Sequence, residues 1–159
     1  MNDALKILQS PFKLKLFMLA KLPFGFLAGL RIEEISEEKS VVSIRYGYLT
    51  KNPFKSVYFA CLAMAGELAS GALGLAQVYG AVPSVSMLVV NMEAVFTKKA
   101  IGKIRFTCSD GKAIKLAIEE SKKTGEGQTI VATSVGLDEA GQEVAIFKIT
   151  WSYKAKMKN

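Results

Sequence analysis

The central part of the chain is almost free of charge, which limits what it can form. Glu67 is the only Asp, Glu, Lys or Arg between positions 56 and 92, and it lies inside the apolar run CLAMAGELASGALGLA. The length and composition of this run predict a helix at about residues 56–78, with Ser56 as its cap and Gly80 at its end. Such a helix either crosses a membrane or lies in a protein core.

The small residues of this helix are compatible with both interpretations. Roughly twenty apolar residues can span a bilayer, and Gly66, Ser70 and Gly74 form a small-xxx-small stripe of the kind found in packed transmembrane helices. The same stripe also lets a helix lie close against a sheet. We favour the core, because the chain continues into segments of strict apolar–polar alternation, and we predict no membrane span.

Alternation at every second residue predicts strands on both sides of the helix. The predicted strands are residues 29–35, 40–48, 85–96, 103–109, 127–137 and 142–153, and residues 111–123 form a surface helix or an irregular excursion. Tight turns between the last strands favour an antiparallel sheet. The economical arrangement is α+β, with five to six antiparallel strands curled around the long helix.

The N-terminal segment KLKLFMLAKLPFGFLAGL has some features of a signal peptide. Lys21 and Pro23 interrupt its apolar stretch, and no small-x-small cleavage site follows cleanly. We therefore predict one N-terminal helix at about residues 4–22, amphipathic from about Pro11 to Lys21.

The length of 159 residues fits one domain. We assign residues 1–159 to that domain, with a core at residues 25–153 and a basic tail at residues 154–159. Its expected location is the cytoplasm.

The chain has no histidine, and this excludes several kinds of active site. There is no Ser-His-Asp or Cys-His pair, no His-ligated metal and no imidazole acid or base. We expect neither a metal nor a cofactor. Cys61 and Cys108 lie in apolar patterns, so we interpret both as buried thiols rather than as a disulfide or an activated nucleophile.

The net charge of +7 suits an anionic ligand such as a phosphorylated cofactor, or simply keeps the protein soluble. No nucleic-acid-binding motif accompanies the charge, and we predict no nucleic-acid partner.

Glu67 is the strongest candidate for a functional residue. Burial of a carboxylate without compensation raises its pKa and costs several kcal/mol of folding free energy. One interpretation is an acid satisfied by a lysine or by backbone donors. The other is an acid kept in place because it carries out chemistry.

The order of helix, two strands, long apolar helix and antiparallel strands resembles the hotdog fold. In detail the chain resembles the PaaI-type acyl-CoA thioesterases and their relatives known as DUF4442. The resemblance is carried by Asn52 in the loop before the helix, by Glu67 fifteen positions later, by the turn FTKKAIGKI at residues 96–104 and by the closing DEAGQEVAIFKITW. It covers about residues 25–153.

The resemblance implies hydrolysis of an acyl-CoA or a related acyl thioester. Glu67 would be the general base or the nucleophile, Asn52 would orient the water or the acid, and the backbone N–H of Phe59 would polarise the thioester carbonyl. CoA would be present only as part of the substrate. Asn52 can equally be a turn residue before Pro53.

The remaining candidates are substrate-binding residues. Lys98 and Lys99 could contact CoA phosphates or belong to a solvated turn, Tyr58 could line the acyl or pantetheine channel or simply pack, and Asn91 could reach the pocket or lie on an edge strand.

Tyr58 and Phe59 stand where the enzymes have His-Gly, which leaves a second function open: a hotdog protein that binds an acyl thioester or another hydrophobic ligand without hydrolysing it. In a third interpretation Glu67 carries a structural or subunit contact. The resemblance also implies a homodimer or homotetramer, with the partner subunit completing the pocket.

Overall fold

The computed structural model describes residues 3–156, so the last three residues of the predicted basic tail lie outside the described part of the chain. The secondary structure elements in chain order are α1 (Asp3–Gln9), α2 (Pro11–Lys21), α3 (Pro23–Leu27), β1 (Arg31–Ile35), β2 (Ser40–Arg45), α4 (Phe59–Val78), β3 (Val85–Phe96), β4 (Lys103–Cys108), α5 (Gly111–Thr124), β5 (Gln128–Leu137) and β6 (Glu143–Ala155).

The six strands form one antiparallel sheet in the order β1-β2-β4-β5-β6-β3. Helix α4 takes the chain from β2, near one edge, to β3 at the other edge, and packs on the strands between them. The predicted α+β architecture, with a sheet around a long central helix, is confirmed.

Small residues on α4 allow the helix to lie very close to β6. A Cβ atom on Gly66 would come within 2.6 Å of Cδ2 of Phe147, and one on Gly74 within 2.5 Å of the hydroxyl of Tyr153. Between them, the indole N–H of Trp151 donates a 2.9 Å hydrogen bond to Oγ of Ser70. The small-xxx-small stripe therefore fits the helix against the sheet.

Helix α4 is long and apolar enough to cross a membrane by length and composition, but most of it is buried within the protein. Its buried side chains belong to the same hydrophobic core as the inward-facing residues of the strands. In the described structure this segment therefore packs as a core helix.

The beginning of α4 differs from the prediction. The helix begins at Phe59, after the N-cap position of Tyr58, rather than at about residue 56. Ser56 does not cap it, because the Ser56 hydroxyl and amide are both hydrogen-bonded to the side chain of Asn52 within the preceding loop.

The N-terminal region is three short helices rather than one. Pro11 and Pro23 each occupy the first position of a helix, where proline is favoured. A proline inside a helix removes a backbone hydrogen bond, so one uninterrupted helix cannot run through these two positions. The helix predicted from Pro11 to Lys21 is present as α2 with those bounds, but apolar side chains lie on both its buried and its exposed sides, so it is not amphipathic as predicted.

The edge strand β3 is long, and several of the side chains that it exposes are apolar. Its outer edge has no pairing strand among residues 3–156, while Leu88, Val90 and Val95 are exposed. Unpaired edges with exposed apolar side chains readily pair with another chain.

Candidate functional site

Glu67 lies on the face of α4 that is packed against β6. If Gly71 carried a Cβ atom, that atom would lie 3.1 Å from Oε1 of Glu67 and 3.3 Å from the Trp151 ring. The carboxylate therefore extends towards the next turn of the helix, on the side of the indole. Burial is the main cause of the raised pKa of the Tyr153 hydroxyl, and the negative charge of Glu67 also contributes to it.

No residue in the described part of the chain donates a hydrogen bond to the Glu67 carboxylate or forms an ion pair with it. Burial alone raises the pKa of this carboxyl. Neither the lysine nor the backbone donors of the purely structural interpretation are found around this acid. Glu67 is a partly desolvated carboxylate with its acceptor positions free.

A groove of about 540 Å³ opens at the N-terminus of α4. It brings together five of the predicted site residues, which come from the loop before the helix, from the helix start and from the turn after β3: Asn52, Tyr58, Phe59, Lys98 and Lys99. The loop before the helix and the turn after β3 therefore meet at this groove.

The backbone N–H of Phe59 points away from any described acceptor. The amides of Cys61 and Leu62 both donate to the carbonyl of Tyr58, whereas that of Phe59 donates to none of the acceptors at residues 3–156. Unpaired amides and the positive end of the helix dipole make this position suited to a developing negative charge. The Phe59 side chain is 57% exposed and contacts the Tyr58 and Phe96 rings edge-on, at centroid distances of 4.9 and 6.4 Å.

Asn52 holds its own loop together. Its Oδ1 accepts hydrogen bonds from the amides of Phe54 (2.9 Å) and Ser56 (3.2 Å), and its Nδ2 donates to the Ser56 hydroxyl. This is the turn role that was one of the two interpretations of Asn52. One N–H of its amide stays available for another acceptor.

The two lysines of the 96–104 turn have different environments. The Lys98 ammonium donates to a carboxylate oxygen of Asp138 at 2.6 Å and to the side chain of Gln142, and this contact lowers the pKa of Asp138. Lys99 makes only a long hydrogen bond of 3.4 Å to the carbonyl of Phe54 across the groove. Lys99 is therefore the better placed of the two for a ligand phosphate.

Glu67 and Asn91 do not line this groove. Glu67 is eight residues beyond Phe59, which is roughly 12 Å along the helix axis. Asn91 pairs with Thr150, on the opposite side of the sheet from Ile149 and Trp151, whose side chains are buried under α4. Within one chain, the acid and the groove are therefore separate.

Trp151 and Tyr153 are neighbours of Glu67 that the sequence did not single out. Both alternate with exposed residues on β6, so the pattern showed that they face inward, but it could not show which residue of α4 they meet. The prediction that Cys61 is a core residue is confirmed, and burial raises the pKa of its thiol.

A larger groove of about 780 Å³ lies between α2, α3 and β1, and none of the predicted site residues lines it. Among residues 3–156, no group of three His, Cys, Asp or Glu side chains is arranged to hold a metal ion.

The sequence matches the family described as "Domain of unknown function (DUF4442)" over residues 12–153. The chain belongs to the DUF4442 family. No curated protein matches it.

Solved structures show the same fold, the hotdog fold. PA5026 from Pseudomonas aeruginosa, a protein of unknown function called a probable thioesterase, is 23% identical, with a TM-score of 0.77 over 92% of this chain and 97% of its own. The thioesterase HI1161 from Haemophilus influenzae is 12% identical, with a TM-score of 0.62 over 91% of each chain. The thioesterase SAV0944 from Staphylococcus aureus is 15% identical, with a TM-score of 0.60 over 83% of this chain and 98% of its own.

Proposed function

We propose that this DUF4442 protein hydrolyses an acyl thioester such as an acyl-CoA, with Glu67 as the general base or the nucleophile. The observation that carries the proposal is the state of the Glu67 carboxylate. It lies on the central helix of a hotdog fold, it is partly desolvated, its pKa is raised, and it has no partner at residues 3–156. A raised pKa brings a carboxylate closer to the range in which a general base is effective near neutral pH.

The chemistry needs two groups. In the general-base route, a water oxygen attacks the thioester carbon while Glu67 takes a water proton. The oxyanion of the tetrahedral intermediate accepts a hydrogen bond from the Phe59 amide, and the C–S bond then breaks as Glu67 returns the proton to the thiolate. In the nucleophilic route, the carboxylate attacks the same carbon, the C–S bond breaks and the thiolate leaves and takes a proton from solvent. Water then hydrolyses the resulting mixed anhydride to the free acid and regenerates the Glu67 carboxylate.

The distance between Glu67 and Phe59 within one chain supports a site shared between two copies. A second chain that pairs along β3 would cover the exposed Leu88, Val90 and Val95 and lengthen the sheet. We propose that the protein is a homodimer of this kind, in which Glu67 of one protomer serves the groove at Phe59 of the other. Stacking of two such dimers would give the homotetramer.

A residue spacing lends support to these assignments. Two structures of the Staphylococcus aureus thioesterase have a glutamate and a glutamine, respectively, replaced by alanine, and these two positions are fifteen residues apart. Fifteen residues also separate Asn52 from Glu67. Asn52 would be the amide-bearing residue before the helix in this protein, and its free N–H would hold the water or the acid.

Two observations favour the alternative, a protein that binds an acyl thioester without turning it over. The Phe59 side chain extends into the groove region where the related enzymes have glycine, and the Asn52 oxygen is already occupied by two backbone amides. A ligand would then be held by Tyr58 and Lys99. For either function the expected location is the cytoplasm, where CoA thioesters are available.

The deciding experiment compares wild type, Glu67→Gln and the surface control Glu119→Gln on a series of acyl-CoA chain lengths. We expect Glu67→Gln to fold and assemble normally and to lose hydrolysis by 100-fold or more, on the order of the contribution of a general base, while Glu119→Gln keeps wild-type rates. A wild-type protein that binds acyl-CoA but hydrolyses none of the series establishes the binding function instead.

A further inference from the structure

We propose that the outer side of α2 is a docking surface for an anionic lipid bilayer. The surface, called here the outer face, consists of Phe12, Leu16 and Leu19, with Lys13 and Lys15 on its flanks. The proposal concerns where the protein is held and does not depend on whether it hydrolyses thioesters.

Helix α2 has two apolar sides, and only one of them is used by the fold. Leu14 and Met18 point inward and are buried. Phe12, Leu16 and Leu19, spaced at i, i+4 and i+7, share the opposite side and are 79%, 60% and 51% exposed. Apolar side chains on the outside of a surface helix serve no purpose in the folded monomer.

The exposed apolar side continues into the next helix. Phe24 in α3 is 77% exposed and Leu27 is 60% exposed. Together with the outer face they place several large apolar side chains on consecutive short helices, more than the scattered single residues that are normal on a protein surface.

The charges around the outer face are all of one sign. Residues 4–32 contain five Lys or Arg and no Asp or Glu. At 100° per residue, Lys15 and Lys13 lie roughly 70° and 90° to either side of the centre of the outer face. Neither lysine forms an ion pair with a residue in the 3–156 range.

The two acids that line the same groove as Lys15 are already paired elsewhere. Glu33 and Glu34 line the groove next to Lys15, but Glu33 is paired with Lys103 and Arg105 and its pKa is lowered to about 2. Glu34 is paired with Lys39 at 2.9 Å. The positive potential beside the outer face is therefore uncompensated.

This combination fits a lipid surface better than a protein partner. Interfacial helices bury bulky apolar side chains at the headgroup boundary and keep lysines at the flanks, where anionic headgroups attract them. The cores of protein interfaces are instead depleted in lysine. A second copy of the chain is disfavoured because a two-fold contact would bring the lysines of both copies together, and β3 already offers an edge for self-association.

The test uses the full chain and co-sedimentation with vesicles of phosphatidylcholine alone or with phosphatidylglycerol added. We expect binding only to the anionic vesicles, falling as NaCl is raised, because exposed charges are screened. Lys13→Glu/Lys15→Glu should weaken binding by more than roughly tenfold, since each basic residue at an anionic surface contributes about fivefold. Phe12→Ser/Leu16→Ser should weaken it at unchanged charge.

The matched control is Lys112→Glu/Lys123→Glu on α5, which changes the net charge equally at another surface. If this control weakens binding as much as Lys13→Glu/Lys15→Glu, attraction is general and the outer face is not the docking site. The proposal is also overturned if wild type ignores anionic vesicles at low salt. It is equally overturned if Phe12→Ser/Leu16→Ser leaves vesicle binding intact but changes the oligomeric state in size-exclusion chromatography.

Discussion

The contact between Gly66 and Phe147 can be tested by adding one methyl group. In Gly66→Ala the new Cβ would be 2.6 Å from Cδ2 of Phe147, whereas carbon atoms in contact are normally about 3.5–4.0 Å apart. The ring would have to move by about 1 Å. It cannot do so freely, because the rings of Phe96 and Phe106 lie 5.7 and 5.6 Å from it, centroid to centroid.

Two terms of opposite sign determine the free energy of unfolding of Gly66→Ala. Overpacking of a core costs about 1–3 kcal/mol, while alanine is favoured over glycine within a helix by about 1 kcal/mol. We expect a net destabilisation of up to about 2 kcal/mol. For a chain of this size that is a fall in Tm of about 4–8 °C at the upper limit, measurable by circular dichroism.

Gly71→Ala in the same helix is the matched control. It has the same gain in helix propensity, and its new neighbours are Oε1 of Glu67 at 3.1 Å, the end of a side chain that can rotate away, and the Trp151 ring at 3.3 Å, which has to give by only a few tenths of an ångström. We expect this variant to be as stable as wild type or slightly more stable. If Gly66→Ala proves as stable as Gly71→Ala, α4 is not packed against Phe147 as described.

Three further predictions concern the site. Burial raises the pKa of Glu67 in the folded state above its unfolded value, so ionisation of Glu67 destabilises the fold as pH rises. Glu67→Gln should therefore be more stable than wild type at pH 8, and the difference between their urea midpoints should close as pH falls to about 4.5. A difference that widens in acid contradicts this. Ser70→Ala removes the acceptor of the buried Trp151 N–H and should lower the free energy of unfolding by about 1–3 kcal/mol, with a shift in tryptophan fluorescence; unchanged stability would mean that the bond contributes little. If acyl-CoA is the ligand, Lys99→Ala should raise its KM or Kd several-fold while Lys98→Ala has a smaller effect, since Lys98 is already ion-paired; a larger effect at Lys98 would reverse this assignment.

The fold was predictable from the sequence because two periodic signals agree. An apolar run with a single charge and several alternating segments left few arrangements other than a sheet around a helix, and the strand bounds differ from the prediction by only a few residues. The helix start was not predictable, since Ser56 is a good N-cap residue by type. The Ser56 hydroxyl accepts a hydrogen bond from the Asn52 side chain instead. Residue types alone do not show which of two competing local hydrogen-bonding patterns forms.

The site was predictable in part. Asn52, Phe59 and Lys99 meet in one groove because the loop before α4 and the turn after β3 lie side by side, as the resemblance implied. The partner of Lys98 was hidden, because Asp138 is forty residues away in the chain. The separation of Glu67 from the groove follows from helix geometry, because the acid lies eight residues beyond Phe59 on α4.

The position of β3 in the sheet has a consequence for how the chain acquires its structure. Its pairing strand is β6 alone among the described strands, and Val85 is matched with Ala155. During synthesis β3 and the apolar helix before it emerge well ahead of the strand that will cover them. Contacts between such distant segments form late, because closing a long loop costs entropy. In the nascent chain β3 therefore stays unpaired until β6 has left the ribosome, whereas α4 can already pack on β2.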